Sequence, residues 1–189
     1  LPIPMLAAFA RLSSRPIPRV ARMMAVAQQS GYATRFLSAR RETGLPETDV
    51  WEELEVERLG PEFPLLNGTR PWTYVSSVFA YNRALFGWLR RHRPQIIHAS
   101  DIETVFAAAL YRRLYGARLI YNIHDNVAQR YAIPGFARAI LNAFEGCGVL
   151  LSDVTLVPEA FRRTSLPRWA RRKVRVVRNT PRDSGRAPL

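Results

Sequence analysis

The fold is decided by the stretch RPQIIHASDIETVFAAALYRRLYGARLIYNIHD, residues 93–125. Two short apolar runs within it, at 95–99 and 118–123, are typical of buried strands. Between them, Ser100 followed by a glutamate three residues later is a capping box, which predicts the start of a helix. Gly116 predicts the end of that helix. Strand, helix and strand in this order form a βαβ unit, whose two strands are parallel.

The same alternation continues on both sides of this stretch. Further strands are predicted at 4–10, 32–37, 54–59, 154–157 and 174–177, and further helices at about 18–30, 73–92 and 136–151. The strand 54–59 is expected at an edge of the sheet, in an otherwise irregular and acidic segment, 40–67. The sequence therefore predicts an α/β fold: a single Rossmann-like domain over 1–181, with a parallel sheet and helices on both faces. Residues 182–189 are expected to form a linker or disordered tail.

Composition bounds the class of protein. The chain has 189 residues, 48% of them hydrophobic, which suits the core of one domain and not a disordered tail. Cys147 is the single cysteine, so the chain can form no internal disulfide, which fits a reducing compartment; its Phe-Glu-Gly-Cys-Gly setting predicts a buried residue. No apolar run reaches the about 18 residues of a membrane span, and the first residues lack a basic leader. We expect a cytoplasmic protein, either free or peripheral on the inner face of a membrane.

The charge is strongly positive, with 28 Lys and Arg against 15 Asp and Glu and a formal net charge of +13. The arginines gathered between 162 and 186 either attract polyanions, such as anionic lipid head groups, or form a solvated face in an arginine-rich proteome. The aromatic helix at 72–93 ends in arginines and suits either the core or a membrane interface. Nucleic acid is not an expected partner, because no recognition helix or stacking platform accompanies the charge.

Several chemistries have no motif in this sequence. It contains no Walker loop, no G-x-G-x-x-G after the first strand and no G-x-S-x-G elbow, which argues against ATPases, classical dehydrogenases and α/β-hydrolases. The three histidines form no spaced pair on one helix, and there is no cysteine cluster. We therefore expect neither a metal nor a cofactor.

Ligands of open parallel sheets bind at the carboxyl ends of the strands. That rule singles out three segments, 11–19, 98–101 and 124–126. His124 and Asp125 leave a buried strand, where an imidazole can contact a ligand and a carboxylate can bind sugar hydroxyls; the structural alternative is a satisfied rim histidine beside a turn-capping aspartate. His98, inside an apolar run, is expected to be a buried, hydrogen-bonded histidine.

Six segments, in this order and spacing, resemble the N-terminal half of GT-B glycosyltransferases, especially the retaining glycosyltransferase family 4. They are 14–20, 29–32, 93–101, 116–125, 152–159 and 174–181. The segment 93–101 resembles the frequent Pro-Asp-Val-Val-His-Ala-His-Asp run of the family, and 174–181 resembles the Lys-Val-x-Val-Ile-Pro-Asn-Gly run before the second domain. The first loop departs from the family, because it is rich in proline and arginine where many members have glycine.

The resemblance implies a role for several residues. His124 matches the histidine that lines the cleft and contacts the transferred sugar, which makes it the candidate catalytic residue. The first-strand loop lies near the donor phosphates in the family, so Arg15 and Arg19 are candidates there. The candidates for the acceptor cleft are Ser100, Asp101, Asp125 and Asn126, of which Ser100 and Asp101 are expected to be helix-capping residues first.

The resemblance also implies partners. The donor would be a nucleotide sugar held by a C-terminal domain outside this sequence, so we expect the chain alone to lack full transferase activity. The acceptor would carry a hydroxyl group whose identity the sequence leaves open. The alternative is a non-catalytic, basic Rossmann-like module that binds a partner protein or an anionic membrane surface.

Overall fold

The computed structural model describes residues 5–62, 71–124 and 135–178. The strands are β1 (Leu6–Ala10), β2 (Ala33–Ala39), β3 (Thr48–Trp51), β4 (Leu54–Leu59), β5 (Ile96–Ser100), β6 (Arg118–Asn122), β7 (Val154–Val157) and β8 (Val174–Val176). The helices are α1 (Pro18–Gln29), α2 (Pro71–His92), α3 (Ile102–Tyr115), α4 (Gly135–Leu151) and α5 (Ala160–Ser165), followed by a 3-10 helix (Arg168–Lys173).

The strands form one sheet in the order β3-β4-β2-β1-β5-β6-β7-β8. Every neighbouring pair is parallel except β3 and β4, which form an antiparallel hairpin at one edge. From β1 the chain first adds β2 and the β3–β4 hairpin on one side and then β5 to β8 on the other, so β1 and β5 mark the point where the strand order reverses. The predicted α/β class is confirmed. The predicted edge position of 54–59 is wrong, because β3 covers that strand.

The hairpin was missed for a physical reason. Its strands are joined by Glu52 and Glu53, both with positive φ (46° and 66°), as a two-residue hairpin turn requires. Glycine or asparagine normally occupies such positions, and glutamate gives no turn signal. The strand β3 also has only four residues and a mostly exposed pattern.

Helices cover both faces of the sheet, as predicted. On one face, α1 packs through Val20 and Met24 against Phe9 and Phe36. The other face carries the larger core cluster, which includes residues of α2, α3 and α4 together with the alternate side chains of β1, such as Ala8. The two clusters divide the residues of β1 between them, which is the period-two alternation of a strand.

The aromatic residues of the helix α2, which the sequence allows either in the core or at a surface, lie on both sides of the helix. Tyr81 and Trp88 are buried, and the Tyr81 hydroxyl donates to the Leu37 carbonyl at 2.8 Å. Trp72 and Phe79, on the outer face, are exposed. The aromatic residues of this helix therefore serve both the core and the surface.

One prediction for the helix α4 is wrong. Cys147 is exposed, not buried. The inner face of α4 instead carries Gly148 and Glu145, whose buried carboxyl group accepts a hydrogen bond from the Tyr121 hydroxyl. Burial raises the pKa of Glu145 to about 8. The polar residues Arg138, Asn142 and Glu145 lie on one side of α4, so the sequence pattern assigns the other side, with Cys147, to the core, whereas the structure buries Glu145.

The start of α3 also differs from the prediction. Ser100 is the last residue of β5, the N-cap is Asp101, and no side chain caps the helix by a hydrogen bond. Glu103 accepts the Tyr74 hydroxyl at 2.7 Å, so it does not complete a capping box. The end of the helix is as predicted, with Gly116 in the left-handed conformation. The predicted tail, 182–189, lies outside the described residues.

Candidate functional site

Three adjacent strands, β1, β5 and β6, bring Arg11, Asp101 and His124 together at the carboxyl edge of the sheet. The Asp101 carboxylate contacts both of the others: Oδ2 pairs with Arg11 Nη2 at 3.2 Å, and Oδ1 accepts the backbone N–H of His124 at 2.9 Å. Both side chains of the ion pair are largely shielded from solvent. One carboxylate thus ties the ends of three strands together.

Asp101 has an unusual backbone. Its φ is 64° and its ψ is 165°, a conformation that is open to glycine and costs other residues about 1–3 kcal/mol. The Asp101 N–H donates to the Asn122 carbonyl at 2.9 Å, which extends the pairing of β5 with β6 by one residue. Strain of this kind is concentrated at ligand-binding and catalytic positions, where the surrounding structure maintains it. Asp101 therefore combines a strained backbone with a carboxylate held on two sides.

The imidazole of His124 is buried and held in one orientation. The Asn122 amide Nδ2 lies 2.7 Å from Nε2 and 3.9 Å from Met23 Sδ, so both amide hydrogens have an acceptor. With the amide oriented so that Nδ2 donates, Nε2 accepts and the ring proton is on Nδ1; this orientation leaves the buried Asn122 Oδ1 without a hydrogen-bond partner in the described structure. Burial, followed by the positive charge of Arg11, lowers the pKa of His124 to about 2. The ring is therefore neutral at ordinary pH.

Arg19 lies in the first turn of α1 and is buried near His124. Its Nη1 donates to the carbonyl of Val177 at 2.8 Å, which links α1 to the segment after β8. Its Nε and Nη2 are buried and make no hydrogen bond within the described part of the chain. Burial is the largest cause of the lowered pKa of Arg19, followed by the charge of Arg22.

The remaining predicted residues have different surroundings. Arg15 is half exposed and pairs with Glu42 at 3.8 Å. Ser100 is fully buried, and its carbonyl accepts the Thr104 hydroxyl at 2.8 Å. The predicted residues Asp125 and Asn126 lie outside the described residues. The structure thus brings Asp101, His124 and Arg19 together and places Arg15 apart from them.

A groove of about 490 Å³ runs beside this site, between α1 and the uncovered part of the sheet. Its wall is mainly apolar, with Phe9, His98 and Leu156 on the sheet and Arg19 at one end. His98 stacks on Phe9 with ring centroids 5.0 Å apart, and burial lowers its pKa to about 4. The prediction of a buried histidine is confirmed, but neither ring nitrogen finds a hydrogen-bond partner in the described structure.

Arg11 is the residue that sequence reasoning did not single out. It lies in one of the three strand-end segments, as the first residue after β1, and that position was the available signal. Its partner, Asp101, lies 90 positions further along the chain. The pairing depends on β1 and β5 being neighbours, which no local pattern shows.

The strand order and the parallel crossovers define a Rossmann-like domain, and its polar residues lie at the strand reversal, where open parallel sheets bind ligands. A comparison with models of protein families gives the family of this domain. The model described as "Glycosyl transferase 4-like domain" matches residues 16–180, and the chain belongs to this family. A search of curated proteins gives no match.

Solved structures share the fold at low sequence identity. Sucrose-phosphate synthase from Thermosynechococcus elongatus superposes with a TM-score of 0.71 and 11% identity, over 92% of this chain and 48% of that protein. HepE from Anabaena, in complex with UDP-glucose, has a TM-score of 0.56 and 13% identity, over 93% and 44%. Os79 from O. sativa, in complex with UDP, has a TM-score of 0.61 and 13% identity, over 97% and 55%. This chain thus spans about half the length of these proteins, which have a GT-B fold.

Proposed function

We propose that the chain is the acceptor-binding domain of a retaining glycosyltransferase. The enzyme would transfer a sugar from a nucleotide-sugar donor to a hydroxyl group, and the donor would be held by a second domain. The family match and the GT-B neighbours support the class of enzyme. The observation that carries the assignment of the site is the strained Asp101, whose carboxylate holds Arg11 and the backbone of His124.

His124 would contact the transferred sugar. A neutral imidazole with its proton on Nδ1 can donate a hydrogen bond to a sugar hydroxyl, and the Asn122 contact to Nε2 fixes the direction of that donor. A charged imidazolium would instead repel the positive charge that develops on a sugar ring in the transition state. The lowered pKa of His124 prevents this repulsion.

Asp101 would act as a positioning residue. Its carboxylate accepts the His124 N–H, so it fixes the backbone from which the imidazole projects. Arg11 neutralises that carboxylate from the other side. In this arrangement Asp101 would fix the position of the His124 backbone, His124 would contact the sugar, and the neighbouring cleft residues would bind the acceptor.

Arg19 would interact with the leaving diphosphate. It lies beside His124 at the N-terminal end of α1, where a helix favours anions, and two of its buried N–H groups have no acceptor in the described structure. Among the neighbours, HepE is in complex with UDP-glucose and Os79 with UDP. We extend to this chain a donor of that class, carried by a second domain that closes on the same edge.

Two further parts of the proposal concern the whole protein. Without the donor-binding domain, the chain would bind acceptor but transfer no sugar. Its location would be cytoplasmic, which suits a chain with Cys147 as its single thiol. The family match does not favour the alternative of a non-catalytic module.

The test uses the complete protein with a nucleotide-sugar donor. His124→Ala should lower kcat by about 100- to 1,000-fold, the usual effect of losing one preorganised hydrogen-bond donor to the transition state. His92→Ala is the matched control, because His92 is exposed at the far end of α2, where it stacks on Trp88. Equal activity of the two variants would show that His124 has no role in the reaction.

A further inference from the structure

The outer faces of α2, α3 and α4 carry rows of exposed apolar side chains. On α2, Trp72 and Phe79 are 82% and 72% exposed; on α4, Phe136 is 73% exposed. Residues at intervals of three or four lie on one face of a helix, so each row forms a stripe. The full set is Trp72, Val75, Phe79, Phe106, Leu110, Leu114, Phe136, Ile140 and Phe144, which we call the apolar face.

The three stripes are continuous. The helix α3 packs between α2 and α4. Val75 and Phe79 line a shallow apolar groove together with Phe106 and Leu110. Phe106 in turn meets Phe144 edge to face, with ring centroids 6.4 Å apart. An exposed apolar surface that spans three helices exceeds what an isolated soluble domain normally leaves in water.

The charged residues near the apolar face indicate which kind of surface binds to it. Among the described residues of α2, α3 and α4, Arg83 and Arg113 are exposed and follow Phe79 and Leu110 by four and three residues, so they lie on the apolar face. No carboxylate is exposed on these helices within the described residues, since Glu103 is partly buried and Glu145 is fully buried. Eight of the 15 carboxylates of the chain lie instead between residues 42 and 62, at the hairpin edge of the sheet. A second copy of the same cationic face would be repelled, whereas an anionic surface would be attracted.

The apolar face also lies next to the candidate site. Each of these helices runs back from the carboxyl edge of the sheet, so its first turns are near that edge. The Tyr74–Glu103 hydrogen bond joins the beginnings of α2 and α3, two residues from Asp101. Phe106 is five residues after Asp101, about 7–8 Å along a helix axis.

We propose that the apolar face docks on an anionic lipid membrane and that the acceptor hydroxyl is presented to the site at that membrane. The second part rests on the proposed function. No helix among the described residues is long and apolar enough to cross a membrane. In the proposed docking, the exposed aromatic side chains of these helices lie among the lipids and the arginines lie at the head groups.

The test is co-sedimentation of the full chain with vesicles, without any nucleotide sugar. Vesicles of phosphatidylcholine and phosphatidylglycerol in equal parts should bind the chain, and vesicles of phosphatidylcholine alone should bind it more weakly. Added salt should weaken the binding to the anionic vesicles. Failure of sugar transfer would leave this result unchanged, so the two proposals fail separately.

The decisive variant is the double substitution Phe79→Ser with Phe136→Ser. Because each phenylalanine contributes about tenfold to partitioning when it leaves water, the double variant should bind at least about tenfold more weakly. The matched control replaces Val26 and Val50 by serine, since both are more than half exposed but lie on α1 and β3. All four positions are exposed, so circular dichroism should show unchanged folding.

Two results would overturn the proposal. One is equal vesicle binding by the test and control variants. The other is a wild-type chain that ignores anionic vesicles and sediments as a dimer, while the Phe79 and Phe136 variant sediments as a monomer. The second result would assign the apolar face to contact between copies of the chain.

Discussion

Asp101 combines a carboxylate that makes two contacts with a strained backbone, and replacing it by alanine and by glycine separates the two effects. Both changes remove the carboxylate that pairs with Arg11 and accepts the His124 N–H. Only glycine also relieves the backbone, since a φ of 64° with a ψ of 165° is favourable for glycine alone. The comparison therefore measures the strain directly, because the lost contacts are the same in both variants.

The magnitudes follow from these contacts. A hydrogen bond that involves a charged group contributes about 1.5–3 kcal/mol, and the ion pair with Arg11 is partly shielded, so Asp101→Ala should lower the free energy of unfolding by about 2–4 kcal/mol. Glycine should recover about 1–3 kcal/mol of backbone strain. It should lose about 0.4–1 kcal/mol through the greater freedom of the unfolded chain. The glycine variant should therefore be more stable than the alanine variant by about 1–2 kcal/mol.

Urea denaturation followed by tryptophan fluorescence gives the free energy of unfolding for each variant. Glu42→Ala is the matched control, because its ion pair with Arg15 is more than half exposed and should contribute less than about 1 kcal/mol. Equal stability of the alanine and glycine variants would mean that Asp101 is not strained in solution. A stability of Asp101→Ala equal to that of wild type would mean that its carboxylate does not hold the strand ends.

Three further predictions concern the interior and the pH dependence of the chain. Burial raises the pKa of Glu145 from 4.5 to about 8, so its contribution to stability is complete below pH 4.5 and is lost as the pH rises through 8. The free energy of unfolding should fall by up to about 2 kcal/mol from pH 6.5 to 8, and this slope should be absent in Glu145→Gln, as denaturation at each pH will show. Gly148→Ala should destabilise the chain by about 1–3 kcal/mol, since the new Cβ would lie 3.1 Å from the ring of the fully buried Tyr121, which cannot move away. At Gly146 the new Cβ would come closer, 2.5 Å from the end of the Trp169 ring, but that side chain is half exposed and can shift into solvent, so Gly146→Ala should cost less. Thermal melts of the two variants will show which is less stable. Burial lowers the pKa of His124 from 6.5 to about 2, so the contribution of its neutral ring to stability is fully present above pH 6.5 and is lost as the pH falls. In an NMR titration the imidazole resonances should show no protonation near pH 6.5. A titration midpoint near pH 6.5 would contradict the burial of the ring.

The fold was largely predictable because its central strands and crossover helices have strong local patterns. The strands at 96–100 and 118–122 are short apolar runs, and Gly116 ends the helix between them as glycine usually does. The missing elements lack such patterns. The strand β3 is short and exposed, and its turn uses two glutamates in a conformation that favours glycine or asparagine. The sequence also gave no sign of α5, which has six residues and no buried side chain.

The sequence predicts where the candidate site lies in the fold, but it does not predict which residues contact each other there. The rule that ligands bind at strand ends selected Asp101 and His124, and the structure brings them within hydrogen-bonding distance. The ion pair with Arg11 and the positive φ of Asp101 depend on how β1, β5 and β6 lie side by side. Such contacts connect residues far apart in the chain, so periodicity and spacing carry no information about them. The roles assigned to His124, Arg19 and Asp101 in catalysis stay predictions.

The burial of single residues was the least predictable property. Cys147 is expected inside and lies outside, because it shares the apolar side of α4 with Phe136, Ile140 and Phe144, and the structure exposes that side. The opposite side carries Arg138 and the buried Glu145. The sequence pattern of an amphipathic helix assigns its apolar side to the core, so an exposed apolar side is seen only when the neighbouring elements are known.

The measurement that tests the central claim most directly is sugar transfer by the complete protein. It would be incubated with a panel of radiolabelled nucleotide sugars and, in separate reactions, with lipid, polysaccharide and protein fractions as sources of acceptor hydroxyls, and the labelled product would be separated from free sugar. Our account predicts a labelled product with the wild-type protein, a yield lower by about 100-fold or more with His124→Ala, and an unchanged yield with His92→Ala. If no donor in the panel gives a labelled product, or if His124→Ala transfers as much label as the wild type, the assignment of this edge of the sheet as a glycosyltransferase site is contradicted.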